Sequence, residues 1–183
     1  MCVEHLPLGP KPLLAASPQS RVLLIGQAPG RVAHESGVPW SDVSGDRLRS
    51  WLGVSRRVFY DPDCFAIVPM GFCFPGTGKQ GDMAPRPECA PLWHERLIKS
   101  LDRVELTIYL GRYAFEHYLG NSYNVLTNAA RGYEALLPKL IVLPHPSPRN
   151  GFWIKKNPWF ETGLLPALQR RMAEILGRNL AKE

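Results

Sequence analysis

The stretch RVLLIGQAPG, at residues 21–30, determines the predicted fold of this chain. Its first half, 21–25, is a short apolar run with β-branched residues that stops at a glycine, a pattern typical of a buried β-strand. Its second half, 26–30, holds two glycines and a proline, which predict a tight turn with exposed backbone N–H groups. Taken alone, this turn is typical of an ordinary strand-to-loop connection, although such N–H groups also bind carbonyl oxygens and anions.

Outward from this stretch, three further apolar runs predict strands at residues 65–68, 105–110 and 139–143. Apolar periodicity and capping residues predict helices between and after the strands. The helices are expected at about residues 45–52 (with Ser44 as the N-cap), 91–101, 113–119 and 159–176. Strands that alternate with helices indicate an α/β protein, here a three-layer α/β/α sandwich around a four-stranded parallel sheet.

The loops that follow the predicted strands have unusual compositions. Residues 26–30 and 71–87 are rich in glycine and proline, and residues 144–150 are rich in proline and polar side chains. Parallel strands end at the same edge of a sheet, and ligands bind at that carboxyl edge. We therefore expect these three loops to gather on one edge and to form the functional site.

Size and charge narrow the class of protein. The chain has 183 residues, of which 45% are hydrophobic, so we predict one folded domain over 1–183 with an irregular arm at 1–20. The net charge of +6 and a pI of about 9.3 favour an anionic partner such as nucleic acid. No apolar run approaches the roughly 20 residues that span a bilayer, and the N-terminus lacks a signal-peptide layout. We expect a cytoplasmic monomer that does not bind membranes.

A second motif, HPSPRN at residues 145–150, follows the last predicted strand. The prolines stiffen the loop and fix the direction of His145, which can then donate a hydrogen bond to a developing oxyanion. Ser147, Arg149 and Asn150 are candidates for holding a phosphate. A single histidine is more often structural, but its place in a rigid Pro-Ser-Pro-Arg loop favours a function.

Together, the GQAPG and HPSPRN motifs resemble the paired motifs of the uracil-DNA glycosylase superfamily. GQAPG is similar to the GEAPG motif of the iron–sulfur family-four enzymes, and HPSPRN is similar to that of the SMUG-type enzymes. Residues 37–40, GVPW, resemble the Gly-x-Pro-Phe segment of the superfamily, whose aromatic ring stacks on the flipped base. The resemblance covers roughly residues 20 to 175.

This resemblance implies a DNA-repair hydrolase that flips a deaminated base, most readily uracil, out of DNA and cleaves its N-glycosidic bond. His145 would stabilise the departing base at a carbonyl oxygen, helped by backbone N–H groups near Gln27, in a pocket that includes Gly26 and Ala28. Trp40 would stack on the base. We expect a monofunctional enzyme, because no lysine amine is placed to form a covalent intermediate.

The resemblance also implies how damaged DNA is held. The loop 148–153 would be the wedge that fills the gap left by the base, with Phe152 and Trp153 as candidate plugs. Packing of these two rings beneath the loop is the alternative. The implied DNA-binding residues are Ser147, Arg149, Asn150, Phe152, Trp153, Lys155 and Lys156.

Three positions depart from the superfamily pattern within the pocket. Ala28 stands where the best-known uracil enzymes have an Asp or Asn that positions water, and Gln27 stands where family four has a Glu. A glutamine orients water but cannot take its proton, so His34, Glu35 and Asp42 are further candidates, each more often a surface residue. Pro69 stands where an Asn reads the Watson–Crick edge of uracil, which makes hypoxanthine and xanthine plausible substrates.

The cysteines raise the question of a 4Fe–4S cluster. Cys73 and Cys89 are separated by fifteen residues, which matches a cysteine pair of the iron–sulfur glycosylases. Those enzymes also carry an N-terminal Cys-x-x-Cys, where this chain has Cys2 and His5. Either His5 completes a ligand set of Cys2, His5, Cys73 and Cys89, or a ligand lies outside this sequence, or no cluster is bound. Cys64 adjoins a strand and is expected in the core.

Three alternatives to a glycosylase remain open. A lesion-binding protein of the same fold, with little or no turnover, is motivated by Ala28 and Pro69. A covalent DNA-trapping protein fits less well, because the basic insertion with a second histidine is not visible. A nucleotide- or phosphate-binding α/β domain is disfavoured, because the sequence has no GxGxxG or Walker A pattern.

Overall fold

The computed structural model of the protein describes residues 2–79, 81–120, 122–123 and 125–177. The strands are β1 (Val22–Ile25), β2 (Phe65–Ile67), β3 (Thr77–Gly78), β4 (Gly81–Asp82), β5 (Leu106–Leu110) and β6 (Leu140–Leu143). Four of them form one sheet in the order β2-β1-β5-β6, in which every neighbouring pair is parallel. The predicted four-stranded parallel sheet is confirmed. Strands β3 and β4 form a separate antiparallel hairpin.

The helices lie between and after these strands. They are α1 (Arg31–Ser36), α2 (Val43–Leu52), α3 (Arg56–Phe59), α4 (Cys89–Lys99), α5 (Arg112–Leu119), α6 (Leu126–Arg131), α7 (Tyr133–Leu136), α8 (Gly151–Lys156) and α9 (Leu165–Leu176). The segment Phe160–Leu164 is π-helical and continues into α9.

The predicted helices are present with two corrections. The N-cap of α2 is Asp42 and not Ser44, because Asp42 Oδ1 accepts a hydrogen bond from the Gly45 N–H at 3.0 Å. The last helix, predicted from residue 159, is α-helical only from Leu165, and its first turns are π-helical. Helices α1, α3, α6, α7 and α8 were not expected, since each is too short to show clear apolar periodicity.

The sheet is buried on both faces, as the continuous apolar runs require. Val22 and Leu24 of β1 pack on one side with α2 and α9. Leu23 and Ile25 pack on the other side, where α4 and α5 cover the sheet. All four residues are at most 2% exposed. Because successive strand residues point to opposite faces, one short run supports both helical layers and gives the α/β/α sandwich.

The topology brings the predicted loops to one edge. Strand β1 lies inside the sheet, and the chain moves from it to β2 on one side and then across to β5 on the other. The carboxyl ends of parallel strands beside such a change of direction are where α/β proteins bind ligands. The loops after β1, β2 and β6 meet there, as expected.

The N-terminal arm runs along the outer edge of β2. Ala15 forms an isolated antiparallel bridge with Ile67, and the Leu13 N–H donates to the Phe72 carbonyl at 2.7 Å. These bonds occupy the edge of β2, which would otherwise expose unpaired backbone groups. In the part of the chain that is described, no helix is both long enough and apolar enough to cross a membrane.

Candidate active site

A cavity of about 450 Å³ opens at the carboxyl edge of the sheet. The loops after β1, β2 and β6 contribute to its wall, together with the start of α2 and the β3–β4 hairpin. The residues predicted for the site that line it are Gln27, Ala28, Trp40, Pro69, His145, Ser147, Arg149 and Asn150. The fold therefore brings residues that are far apart in the sequence to one cavity, and the volume of this cavity suits a small ligand.

The tautomer of His145 is fixed by its own loop. The backbone N–H of Ser147 donates to His145 Nδ1 at 3.2 Å, so the neutral ring carries its proton on Nε2. The side-chain amide of Asn150 donates to the His145 carbonyl at 2.7 Å and holds the residue in place. Burial lowers the pKa of His145, and the nearby Asp42 carboxylate opposes this by raising it. The site therefore presents a neutral imidazole with Nε2–H as its donor.

Trp40 has a strained backbone that its neighbours maintain. Its φ of 57° lies in the left-handed region, which side chains other than glycine rarely adopt. The Trp40 carbonyl accepts a hydrogen bond from Arg49 Nη1 at 3.0 Å, and it shares the Tyr60 hydroxyl, at 3.0 Å, with the Pro39 carbonyl at 2.9 Å. A methyl group on Gly45 would lie 1.8 Å from that carbonyl oxygen, so only glycine permits the approach of α2. Strain held in this way at a cavity wall is typical of a functional residue.

The Trp40 ring is held between two of the predicted motifs. A methyl group on Gly26 would lie 2.9 Å from Trp40 Cζ2. On the other side, the centroids of the Trp40 and His145 rings are 5.6 Å apart, with an angle of 37° between their planes. Gly26 therefore supports the site through contact with the ring, and Trp40 and His145 form adjacent parts of one wall.

Backbone amides of the GQAPG turn also reach the cavity wall. The Gly26 and Gln27 carbonyls accept from the N–H groups of Met70 and Gly71, at 2.9 and 3.1 Å. In a trans peptide the N–H points opposite to the carbonyl. The N–H groups of Gln27 and Ala28 therefore point away from the loop after β2, and both residues line the cavity.

The three candidates for an acidic or basic group beside GQAPG have different environments. His34 and Glu35 lie on helix α1 and not in a loop. His34 is buried beside Phe74 at a centroid distance of 5.9 Å, and Glu35 is exposed in a long ion pair with Arg31. Of the three, Asp42 lines the cavity, and it is near enough to influence the pKa of His145.

A further carboxyl group in the wall was not predicted. Asp82 is on strand β4 of the hairpin, at the solvent-exposed mouth of the cavity. Burial of its carboxyl group raises its pKa, as does Asp42, whereas Arg149 and Arg31 lower it. The residues 76–82, GTGKQGD, read as an irregular loop because two-residue strands show no periodicity. In the sequence, Gly78 and Gly81 were the residues that indicated a hairpin, because glycine is common at hairpin turns.

Pro69 presents no polar group to the cavity. Its carbonyl oxygen lies 3.0 Å from His94 Nε2. Because a carbonyl oxygen can only accept a hydrogen bond, His94 Nε2 must be the donor. His94 Nδ1 is therefore the acceptor for the Tyr118 hydroxyl at 2.6 Å. His94 is buried, and burial lowers its pKa, so the ring is neutral and anchors Pro69 from behind.

The segment predicted as a wedge is helical, and its two aromatic residues differ. Pro148–Asn150 is a 3-10 turn that leads into α8. Phe152 is 68% exposed, and Lys156 Nζ lies 4.4 Å from its ring centroid. Trp153 packs edge-to-face on Trp159 and Phe160, and its indole N–H donates to Thr127 Oγ1 at 2.9 Å. Of the two candidate plugs, Phe152 is available and Trp153 packs beneath the segment.

The four predicted metal ligands differ in burial, since Cys2 is half-buried and His5 is exposed. Cys73 and Cys89 are buried, and burial raises the pKa of both thiols. Among the described residues, no group of three or more His, Cys, Asp or Glu side chains is arranged to hold a metal ion. Cys2 lies near enough to Cys73 and Cys89 to raise the pKa of both thiols further, and a cluster held by Cys2, His5, Cys73 and Cys89 stays a prediction. Cys64 is fully buried in the core, as expected.

The sequence matches one family model, described as the uracil DNA glycosylase superfamily, over residues 15–169. The matched region includes all four strands of the sheet and the GQAPG, GVPW and HPSPRN segments.

Proposed function

The chain belongs to the uracil DNA glycosylase superfamily, and we propose that it is a monofunctional DNA glycosylase that hydrolyses the N-glycosidic bond of a flipped, deaminated base. The observation that carries this proposal is the fixed tautomer of His145, whose Nε2–H is the available donor in the cavity wall. A base must leave the duplex to reach such a cavity, so the proposed reaction includes base flipping.

The proposed chemistry rests on stabilising the departing base. As the bond from C1′ to the base nitrogen breaks, its electron pair passes to the base and negative charge grows on a ring carbonyl oxygen. His145 Nε2–H donates to that oxygen, and the N–H groups of Gln27 and Ala28 supply further positive dipoles. Donors fixed before the reaction need no reorganisation, which makes them effective in a partly buried site.

Trp40 is proposed to hold the face of the base. Its ring lies beside the His145 ring, and the bonds to its carbonyl from α2 and Tyr60 keep it from moving. Stacking of a base on an aromatic side chain is worth about 1–3 kcal/mol, whichever base is bound. Trp40 therefore contributes binding and orientation and leaves base selectivity to polar groups.

Asp42 is proposed to position the attacking water. Its Oδ1 accepts from the Gly45 N–H, and we assign Oδ2 to the water that bonds to C1′. The carboxylate takes a proton from this water, which Gln27 cannot do. Asp42 thus supplies the carboxylate that GQAPG lacks.

DNA is proposed to approach across the HPSPRN motif and α8. Ser147 and Arg149 lie at the cavity, and Lys155 and Lys156 are exposed on α8, where each can neutralise a phosphate. Phe152 is the proposed wedge. Asn150 has an internal role, because its side-chain amide is bonded to the His145 carbonyl.

Uracil is the first proposed substrate. Hypoxanthine and xanthine are the second, because Pro69 has no side-chain donor or acceptor and its carbonyl is bonded to His94. The chemistry of the superfamily needs no cofactor, and no step of the proposed reaction passes through an iron–sulfur cluster.

Excision assays on labelled oligonucleotides test the proposal. Uracil, hypoxanthine and xanthine would be placed in single and double strands, and abasic sites cleaved with alkali. His145→Ala is expected to lower kcat about 100- to 1000-fold, the usual effect of losing one oxyanion donor, with DNA affinity retained. His117→Ala, which removes an exposed histidine on α5, is the matched control. Absence of cleavage by the unmodified protein in excess over DNA would reject the enzyme and favour a lesion-binding protein.

A further inference from the structure

In the proposed base pocket, Pro69 supplies no polar group that could hydrogen-bond the base. The Pro69 carbonyl is bonded to His94, and its side chain has no donor or acceptor. Trp40 offers a ring face that accepts any base. His145 is assigned to the leaving-group oxygen and Asp42 to the water. The polar edge of the base must therefore meet another group in the wall.

The β3–β4 hairpin supplies such a group. Thr77 pairs with Asp82 and Gly78 pairs with Gly81, so the hairpin has a fixed register. The Met83 N–H donates to the Gly76 carbonyl at 2.8 Å and closes its base. This register places Asp82 at the mouth of the cavity.

Two close contacts hold the hairpin against the motifs on either side of the cavity. A methyl group on Gly30 would lie 2.9 Å from Asp82 Oδ2, so the carboxyl group packs directly on the GQAPG turn. A methyl group on Gly81 would lie 2.5 Å from Arg149 Nη1, so the hairpin also touches HPSPRN. Asp82 is thereby fixed between the two motifs that carry the proposed chemistry.

We propose that Asp82 is the specificity-determining residue of the pocket, and that its carboxyl group hydrogen-bonds the polar edge of the flipped base. This inference rests on the proposed function and names the group that selects its substrate. A protonated carboxyl has one donor and one acceptor, as the amide of an asparagine does. That pair is complementary to a lactam edge, the adjacent N–H and C=O shared by uracil, hypoxanthine and xanthine.

The surroundings of Asp82 shift the pKa of its carboxyl group in opposite directions. Burial and the Asp42 carboxylate raise the pKa of Asp82, while Arg149 from the 3-10 turn and Arg31 from α1 lower it, and the net direction is upward. An ionised Asp82 would present two acceptors and repel the base carbonyl. Recognition of a lactam edge should therefore weaken as pH rises through the pKa of Asp82.

A binding measurement tests this inference independently of turnover. The probes are a duplex with 2′-fluoro-2′-deoxyuridine, whose glycosidic bond resists cleavage, and the same duplex with its N3-methyl derivative, which lacks the N–H donor. The unmodified protein is expected to bind the first roughly 10-fold or more tightly, the usual size of a bidentate base contact. Asp82→Ala is expected to bind both equally. Asp82→Asn is expected to keep the preference and to lose its pH dependence.

Two controls separate recognition from folding. Thr77→Ala changes the residue paired with Asp82 without removing the carboxyl group. Asp102→Ala removes an exposed carboxylate just before β5, at the opposite edge of the sheet. Both are expected to keep the preference of the unmodified protein. An undiminished preference in Asp82→Ala would overturn the inference, and so would equal binding of the two probes by the unmodified protein. Failure of the proposed function would instead appear as no released base from ordinary deoxyuridine.

Discussion

At the scale of single residues, the site depends on contacts that only particular side chains permit. His145 presents Nε2–H because the Ser147 N–H occupies Nδ1. Trp40 stands beside it because Gly26 and Gly45 leave room for its ring and its carbonyl. The two motifs are therefore coupled through atoms that take no part in the proposed reaction.

Gly26→Ala tests the coupling between the GQAPG turn and Trp40. The new methyl group would lie 2.9 Å from Trp40 Cζ2, so the ring must move. We expect KM for a lesion duplex to rise roughly 10-fold, because stacking on the base is worth about 1–3 kcal/mol. Steady-state kinetics would measure it, with Gly132→Ala as control, since a methyl group there meets its nearest neighbouring atom at 3.4 Å. Equal KM values in the two variants would show that Trp40 does not hold the base.

At the scale of elements, the HPSPRN motif and α8 act as one unit. The Arg47 guanidinium of α2 donates to the Ser147 carbonyl at 3.1 Å and ties this unit to the helix that follows Trp40. Within α8, Phe152 faces solvent and Trp153 faces the core. Adjacent aromatic residues therefore have different roles, which a helix makes possible by turning about 100° per residue.

The variants Phe152→Ala and Trp153→Ala should separate DNA insertion from stability. Trp153→Ala is expected to lower the free energy of unfolding by about 3 kcal/mol, since its ring packs on Trp159 and Phe160. Phe152→Ala should change it by about 0.5 kcal/mol or less, because the ring is exposed. Phe152→Ala should nevertheless slow excision from duplexes more than from single strands. Urea unfolding and excision assays measure the two effects, and an equal loss on both DNA forms would rule out a wedge.

The elements differ in how far the sequence predicts them. The four sheet strands were predictable, because continuous apolar runs are the signature of strands buried on both faces. His145 and Gln27 could be placed in one site because their motifs follow strand ends, and Trp40 joined them through the resemblance of GVPW to the superfamily's Gly-x-Pro-Phe segment. Helix α8 was not predictable, since a 3-10 turn precedes it and six residues show little periodicity. Asp82 was hidden for a similar reason, because tertiary contacts with Gly30 and Arg149 position its hairpin.

At the scale of the whole molecule, two histidines whose pKa values are lowered in the folded protein link stability to pH. Burial lowers the pKa of His94 and of His145. Below the ordinary value of 6.5, the unfolded chain therefore binds more protons at these sites than the folded protein does. Their contribution to stability is fully present above that value and is lost as pH falls below it.

The variant His94→Gln should show this linkage. We expect the free energy of unfolding of the unmodified protein to fall more steeply with decreasing pH below about 6.5 than that of the variant, because the variant has no ring to protonate. The variant should also be less stable at neutral pH, because the bonds to Pro69 and Tyr118 are lost. Urea unfolding at several pH values measures the slope, and His5→Gln is the exposed control. Identical slopes in the unmodified protein and His94→Gln would refute the assignment of a neutral, buried His94.

The most direct test of the glycosylase proposal is to identify the products by mass spectrometry. The protein would be held in excess over a duplex with one uracil, and both the strands and the small molecules would be analysed. The proposed hydrolysis predicts free uracil and a strand that carries an intact abasic sugar, both strongly reduced in His145→Ala. An unchanged strand would contradict this account and leave a lesion-binding protein. A protein–DNA adduct would contradict it in another way and indicate covalent trapping.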